Sequence, residues 1–110
     1  NLLYGIIIMA AKADGVDLSA TTAANIGQAG SSGGTYSVIF TNRGTSSVTV
    51  RLGLGTGSAT FQDARYILYD ETLAAKSSLT FSPVVAEGND YIIAYSSAAS
   101  VNALMMGHDI

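Results

Sequence analysis

The chain has 110 residues, of which 48% are hydrophobic and only 12% are charged, and its formal net charge at pH 7 is −3. This length corresponds to one domain that needs no metal or disulfide to fold, and the lack of cysteine excludes disulfides and thiolate metal sites. The five basic residues are scattered, which argues against nucleic-acid binding, and so little charge predicts a surface that associates with neighbours.

The first predicted element is the apolar run 2–11, with the sequence LLYGIIIMAA. It is about half as long as a helix that crosses a bilayer, and no basic stretch precedes it, so we expect no membrane partner. The β-branched residues Ile6, Ile7 and Ile8 favour extended chain, which predicts a strand that is buried or covered by a partner. Residues 12–24 are small and polar, and we interpret them as a connection.

The stretch 35–54 has the clearest β pattern in the chain. Its second half alternates strictly between apolar and other residues, which is typical of a half-buried strand with one face inward. The inward residues are Val48, Val50, Leu52 and Leu54. Residues 36–41 are also rich in strand formers, and the turn-forming sequence at 42–47 separates the two halves. The pattern predicts a β-hairpin at the centre of the domain.

Further strands are predicted at 25–29, 65–70, 77–85, 91–96 and 100–108. Pro83 has no amide donor, which places it at the end of a strand or on a sheet edge. Turn signals every eight to twelve residues, without helical periodicity longer than a turn, predict an antiparallel β-sandwich of about seven or eight strands, either a jelly roll or immunoglobulin-like.

We divide the chain into an N-terminal arm or strand with its connection at 1–20 and a β-sandwich domain at 21–110. The last predicted strand is apolar on both faces, which favours docking against a neighbour. The apolar runs 2–11 and 104–110 carry more apolar residues than one sheet face can use, so we predict that both contact a partner. The predicted contact residues are Leu2, Leu3, Tyr4, Ile6, Ile7, Ile8, Leu104, Met105 and Met106.

One segment, 30–34, matches the G-x-S-x-G pattern of hydrolase nucleophile elbows. That mechanism needs a helix after the serine, whereas a strand is predicted here, so a flexible loop is the favoured interpretation. His108 is the only histidine, and nothing in the sequence brings it close to Ser32 or to a carboxylate. We therefore predict no catalytic residue and no enzymatic activity.

Two other patterns could bind small ligands or ions. The glycine-rich segment 53–57 resembles a phosphate loop, but no helix follows it, so a bulge at a strand end is favoured. Several acidic and amide residues could ligate calcium, but they lack the alternating spacing of a calcium loop, and turn positions are favoured. These residues are Asp14, Asp17, Asp70, Glu71, Asn89 and Asp90. No metal site and no cofactor is predicted.

Four tyrosines could form a platform for carbohydrate. Strict alternation predicts Tyr66 and Tyr69 on opposite faces of a sheet and Tyr91 and Tyr95 on one face. Only part of the set could then be exposed together. Packing in the core or between subunits is the favoured interpretation.

A series of short motifs follows between residues 35 and 110. They are Asn42-Arg43 before VTVRL at 48–52, YILYD at 66–70, LAA at 73–75, AEGND at 86–90 before YIIAYSS at 91–97, and GHD at 107–109. In order and spacing they resemble the small β-sandwich virion structural proteins of tailed bacteriophages. The resemblance implies a component of the capsid shell or of the tail, with no enzymatic activity and no cofactor.

From this resemblance we expect a capsid decoration or cement protein that stabilises the shell. Its expected partners are the major capsid protein, further copies of itself in a trimer or other ring, and other virion proteins. Its expected location is the virion, with the capsid surface favoured over the tail. The alternative is a tail, baseplate or fibre module that binds a host glycan through its tyrosines. A hydrolase that uses Ser32 and His108 is a third and weaker hypothesis.

Overall fold

The computed structural model describes residues 10–110, which form eight strands and one short 3-10 turn at Asp63–Arg65. The strands are β1 (Ala10–Leu18), β2 (Ala24–Gln28), β3 (Gly34–Asn42), β4 (Val48–Gly55), β5 (Tyr66–Leu73), β6 (Ser78–Ala86), β7 (Tyr91–Ser96) and β8 (Val101–Asp109). Over the described range there is no α-helix, and hence no helix that could span a bilayer.

The strands form two four-stranded antiparallel sheets. The first sheet has the order β1-β8-β3-β6, and the second has the order β2-β7-β4-β5. The first four strands pair with the last four in reverse order, β1 with β8, β2 with β7, β3 with β6 and β4 with β5. This is the pattern of a long hairpin rolled up on itself, which defines a jelly roll. The predicted antiparallel β-sandwich is confirmed.

The core lies between the two sheets and is built from alternate residues of the strands. Val48, Val50, Leu52 and Leu54 are all buried, so the inward face predicted for β4 is confirmed. Large side chains from the first sheet oppose them, and the largest of these are Tyr36, Phe40 and Met105. Each such apolar side chain contributes roughly 1.5–3 kcal/mol when it is fully buried.

The predicted central hairpin is wrong, because β3 and β4 lie in different sheets. The intervening residues 43–47 cross from one sheet to the other. The side-chain amide of Asn42 is fully buried at this crossing, donates to backbone carbonyls of Ser46 and Leu73, and accepts from the backbone N–H of Gly44. These bonds fix an arch between the sheets instead of a hairpin within one sheet.

The predicted connection at 12–24 is also wrong over its first half, because β1 covers Ala10–Leu18 and pairs with β8. β1 is an edge strand, and most of its residues are exposed. Only Val16 and Leu18 of this strand pack against the core. A strand that buries so little has a polar sequence, which resembles that of a loop. The edge position predicted for Pro83 is confirmed, since it lies in β6 at the other edge of the same sheet.

Candidate interaction surfaces

The first sheet has a broad outer face that turns away from the core. Four strands each contribute four residues to it, in four rows across the sheet. The rows are Ala11–His108–Thr35–Val85, Ala13–Met106–Ser37–Ser82, Gly15–Leu104–Ile39–Thr80 and Asp17–Asn102–Thr41–Ser78. Only Asp17, at one corner, carries a formal charge at pH 7, and it is paired with Arg43. We call this surface the flat face.

The flat face contains two of the predicted contact residues. Leu104 is half-buried and Met106 is 39% exposed, and the flat face also carries Val85, which is 67% exposed. Met105 points into the core and is fully buried, so it presents no surface to a neighbour. The other predicted contact residues lie outside the described part of the chain. They are Leu2, Leu3, Tyr4, Ile6, Ile7 and Ile8.

The outer face of the second sheet carries a line of aromatic rings that we call the aromatic strip; it comprises Phe61, Tyr66, Tyr69, Tyr95 and Arg51. The Phe61 and Tyr66 rings stack with centroids 4.7 Å apart, and the Tyr66 and Tyr69 rings meet edge to face at 4.9 Å. The Arg51 guanidinium carbon lies 4.3 Å from the centroid of Tyr69 and 4.6 Å from that of Tyr95. Three tyrosines, a phenylalanine and an arginine therefore form one continuous surface.

The expectation that Tyr66 and Tyr69 face opposite ways is wrong, and the pairing of β4 with β5 gives the reason. Leu52 pairs with Leu68, while the next residue, Gly53, pairs with Tyr66. One extra residue, Ile67, is therefore accommodated in β5, and both Ile67 and Leu68 pack against the core. A bulge of this kind inverts the alternation, so two tyrosines three positions apart share one face.

A second bulge in β5 brings an acid to Arg51. Between the pairs Val50–Glu71 and Leu52–Leu68, the two residues Tyr69 and Asp70 lie opposite the single residue Arg51. Asp70 adopts a positive φ of 53°, a conformation that aspartate tolerates better than most residues. Its carboxylate accepts hydrogen bonds from Arg51 Nε at 2.7 Å and Nη2 at 3.3 Å. This hydrogen-bonded pairing raises the pKa of Arg51.

The rest of the second outer face is covered by the loop that connects β4 to β5. Ile93 points outward from β7, yet it is fully buried beneath this loop. Gly53 and Gly55 have no side chains, which lets Phe61 and Thr60 approach the sheet closely. Asn25 of β2 holds the loop down, since its amide donates to Ser58 Oγ at 2.6 Å. The glycine-rich segment is therefore a packing site for the protein's own loop.

The buried acid Asp90 is satisfied within the protein at one end of the sandwich. It accepts hydrogen bonds from Arg65 at 3.1 and 2.5 Å and from the backbone N–H of Glu87 at 2.9 Å. The bond from Arg65, with the backbone bond, lowers the pKa of Asp90 despite its burial.

Asp109 is satisfied in a similar way at the same end of the sandwich. It accepts from the hydroxyl of Tyr36 and from the N–H of Gly30, and it lies 3.1 Å from Lys12 Nζ. The Tyr36 hydrogen bond is the main cause that lowers the pKa of Asp109, while burial raises the pKa of Tyr36.

The remaining candidates from the sequence stay apart. Ser32 and His108 are both exposed. Within the described residues 10–110, no side-chain hydrogen bond joins Ser32 to His108, and none joins His108 to a carboxylate. Asp17, Asp70 and Asp90 are each paired with an arginine, as described above. Among the described residues, no three histidine, aspartate or glutamate side chains are grouped so that they could hold a metal ion.

Comparisons with protein-family models, with curated proteins and with solved structures found no match to this chain. The candidate surfaces therefore stand on their own geometry.

Proposed function

We propose that this chain is a virion structural protein that decorates or cements a capsid, with the flat face bound to the major capsid protein. The composition of the flat face is the observation that supports the proposal. A typical protein surface with four such rows of residues would hold several charged side chains, whereas this face has one. Here small residues and hydroxyl side chains surround a few apolar ones, so covering this face removes almost no charged group from water.

The size of the flat face fits a repeated contact. The face is four strands wide, at about 4.8 Å per strand, and about seven residues long, at about 3.3 Å per residue, so its area is roughly 450 Å². A stable two-protein interface needs about 800 Å² from each partner, so a single flat face supports only weak binding. Attachment of many copies to one shell, together with contacts between the copies, raises the effective affinity without any stronger individual contact.

The jelly-roll fold is compatible with this role. Jelly rolls occur among viral capsid domains and also among lectins. Because one fold supports many functions, the flat face, and not the topology, supports this role. In this proposal the chain acts by binding, and no residue has a catalytic role.

Substitutions of flat-face residues, introduced into the genome that encodes this chain, test the proposal. Met106 and Val85 are already exposed, so Met106→Glu and Val85→Glu should leave folding intact. Each variant would bury an unpaired charge if the flat face docked, so docking is blocked. We expect purified particles to contain the wild-type chain at a copy number comparable with that of the major capsid protein. We expect the copy number of each variant per particle to be at least tenfold lower. The matched control is Thr72→Glu, at an exposed position on β5 of the second sheet, which should incorporate normally.

Particle-associated protein is measured by quantitative mass spectrometry, and the melting temperature of each purified variant verifies its fold. Normal incorporation of both folded variants, or absence of the wild-type chain from particles, would overturn the proposal.

The second candidate function is a tail, baseplate or fibre module, and the aromatic strip is the observation that favours it. Copy number separates the two candidates, since a tail component occurs in far fewer copies than a shell component. A location at the tail in a low-resolution particle map would favour the second candidate.

A further inference from the structure

The most accessible part of the aromatic strip is Tyr69, which is 59% exposed. The Arg51 guanidinium stacks on one face of the Tyr69 ring. The Tyr69 and Tyr66 rings meet edge to face. Phe61, Tyr66 and Tyr95 are each half-buried, so they are held by the sheet while part of each ring still reaches solvent. The strip is therefore an exposed aromatic surface on a rigid support.

The strip is held in place before any ligand arrives. Asp70 fixes the Arg51 guanidinium through two hydrogen bonds, and two tyrosine rings flank that guanidinium. Each planar group restrains its neighbour, so little side-chain entropy is left to lose on binding. Two bulges in β5 produce this arrangement, and bulges of this kind are features that re-aim side chains near binding sites.

The charge of the strip limits the class of ligand. Arg51 is the only cation in the strip, and Asp70 neutralises it. An anionic ligand would have to displace Asp70 to gain the guanidinium. A neutral ligand can leave the pair intact and use the free lone pairs of Asp70 and the tyrosine hydroxyls as hydrogen-bonding groups.

The area of the strip limits the ligand further. A tyrosine side chain offers about 150–250 Å² in full, so Tyr69 exposes on the order of 100–150 Å², and the half-buried rings of Phe61, Tyr66 and Tyr95 each add less. This area suits one or two sugar rings, whereas a second copy of the chain or another protein needs about 800 Å². Pyranose rings present C–H groups on their faces and hydroxyls at their edges, which match an aromatic surface bordered by a carboxylate and phenol groups.

We infer that the aromatic strip binds a neutral, pyranose-containing glycan, which stacks on Tyr69 and hydrogen-bonds to Asp70. The inference depends on the second candidate function only for its biological setting, because a chain attached to a shell through the flat face also leaves the opposite sheet free. Glycan binding by the purified chain and incorporation into particles are separate measurements, so either can fail alone.

The test is a ¹H–¹⁵N NMR titration of the purified chain with four neutral probes, cellohexaose, laminarihexaose, chitohexaose and maltohexaose. We expect at least one hexasaccharide to shift the amide signals of Arg51, Tyr69, Asp70 and Tyr95 while signals from the flat face stay unchanged. Tyr69→Ala should weaken binding at least tenfold. Val85→Ala, at an exposed apolar position on the opposite sheet, is the control and should bind as the wild type does.

Three results would overturn the inference. The first is the absence of any shift with all four probes at 10 mM. The second is binding that Tyr69→Ala leaves unchanged in a variant whose spectrum is folded. The third is a concentration-dependent shift of the strip signals without sugar, which would identify a second copy of the chain as the occupant.

Discussion

At the scale of single residues, Asn42 decides how the two sheets are connected. Its side chain is fully buried where β3 ends, and its amide faces the carbonyls of Ser46, Leu73 and Ala74. The segment that follows β5 is thereby attached to the arch between β3 and β4. One amide therefore supplies hydrogen bonds to both loops, and its bond to the carbonyl of Leu73 is buried.

We expect Asn42→Ala to lower the free energy of unfolding by about 2–3 kcal/mol, because it leaves the buried carbonyl of Leu73 without this donor and the N–H of Gly44 without its acceptor. The melting temperature should fall by roughly 10 °C. The control is Asn102→Ala on the flat face, at a half-buried position, which should change stability by less than about 0.5 kcal/mol. Urea unfolding followed by circular dichroism measures both variants, and equal stability of the two would show that the arch does not depend on this amide.

At the scale of elements, the loop between β4 and β5 behaves as an additional layer on the second sheet. It buries Ile93 and supplies Phe61 to the aromatic strip. The two glycines of β4 make this possible, because a Cβ on Gly53 would lie 2.9 Å from Phe61 and one on Gly55 would lie 2.9 Å from Ile93. The glycines thus connect the packing of the loop to the geometry of the strip.

Gly55→Ala should therefore destabilise the protein by about 1–3 kcal/mol, because the added methyl group collides with Ile93 and with the carbonyl of Thr60. We also expect faster hydrogen exchange in the loop and a changed chemical shift for Phe61. Gly57→Ala is the matched control, since nothing lies within 4 Å of a Cβ at that position. Hydrogen exchange measured by NMR distinguishes the two variants, and identical loop protection in both would show that the loop does not rest on Gly55.

The alternation in β4 predicted the inward side chains correctly, because period-two patterns depend only on the local chain. The partner of each strand was not predictable in this way, since the arch at Asn42 depends on residues 73 and 74, about thirty positions further along. β1 was missed because a mostly exposed edge strand has a polar sequence. Both failures concern long-range pairing, which local periodicity does not encode.

For the candidate surfaces, the prediction that Leu104, Met105 and Met106 all contact a partner did not separate the two faces of β8, and only Leu104 and Met106 lie on the flat face. The aromatic strip was not predicted either, because Ile67 adds one residue to β5 and inverts the faces. The adjacent apolar pair Ile67-Leu68 between two tyrosines was the signal, since strict alternation does not place two inward residues side by side.

At the scale of the whole molecule, the flat face and the aromatic strip lie on opposite sides of the sandwich, and the two clusters around Asp90 and Asp109 lie together at one end. The clusters are connected, because the N–H of Ala29 donates to the carbonyl of Asp90 and the N–H of Asn89 donates to the carbonyl of Gly30. Strand ends from both sheets meet there, so these acids hold one end of the sandwich closed.

This arrangement predicts that acid weakens the protein. The pKa of Asp90 is lowered chiefly by its bond from Arg65, and the pKa of Asp109 chiefly by its bond from Tyr36, both below the ordinary value of 3.8. The folded state therefore binds protons less readily than the unfolded state. The stabilisation is fully present above the unfolded pKa and is lost as the pH falls through the folded pKa values.

We expect the melting temperature to be constant between about pH 7 and pH 5 and to fall below about pH 4. Asp90→Asn should cost about 2 kcal/mol at pH 7, because it removes the charge paired with Arg65, and its melting temperature should then fall less steeply with acid. Asp63→Asn, at an exposed position, should follow the wild-type curve. Calorimetry from pH 7 to pH 2.5 gives all three curves, and parallel curves for Asp90→Asn and the wild type would show that the acid-sensitive group lies elsewhere.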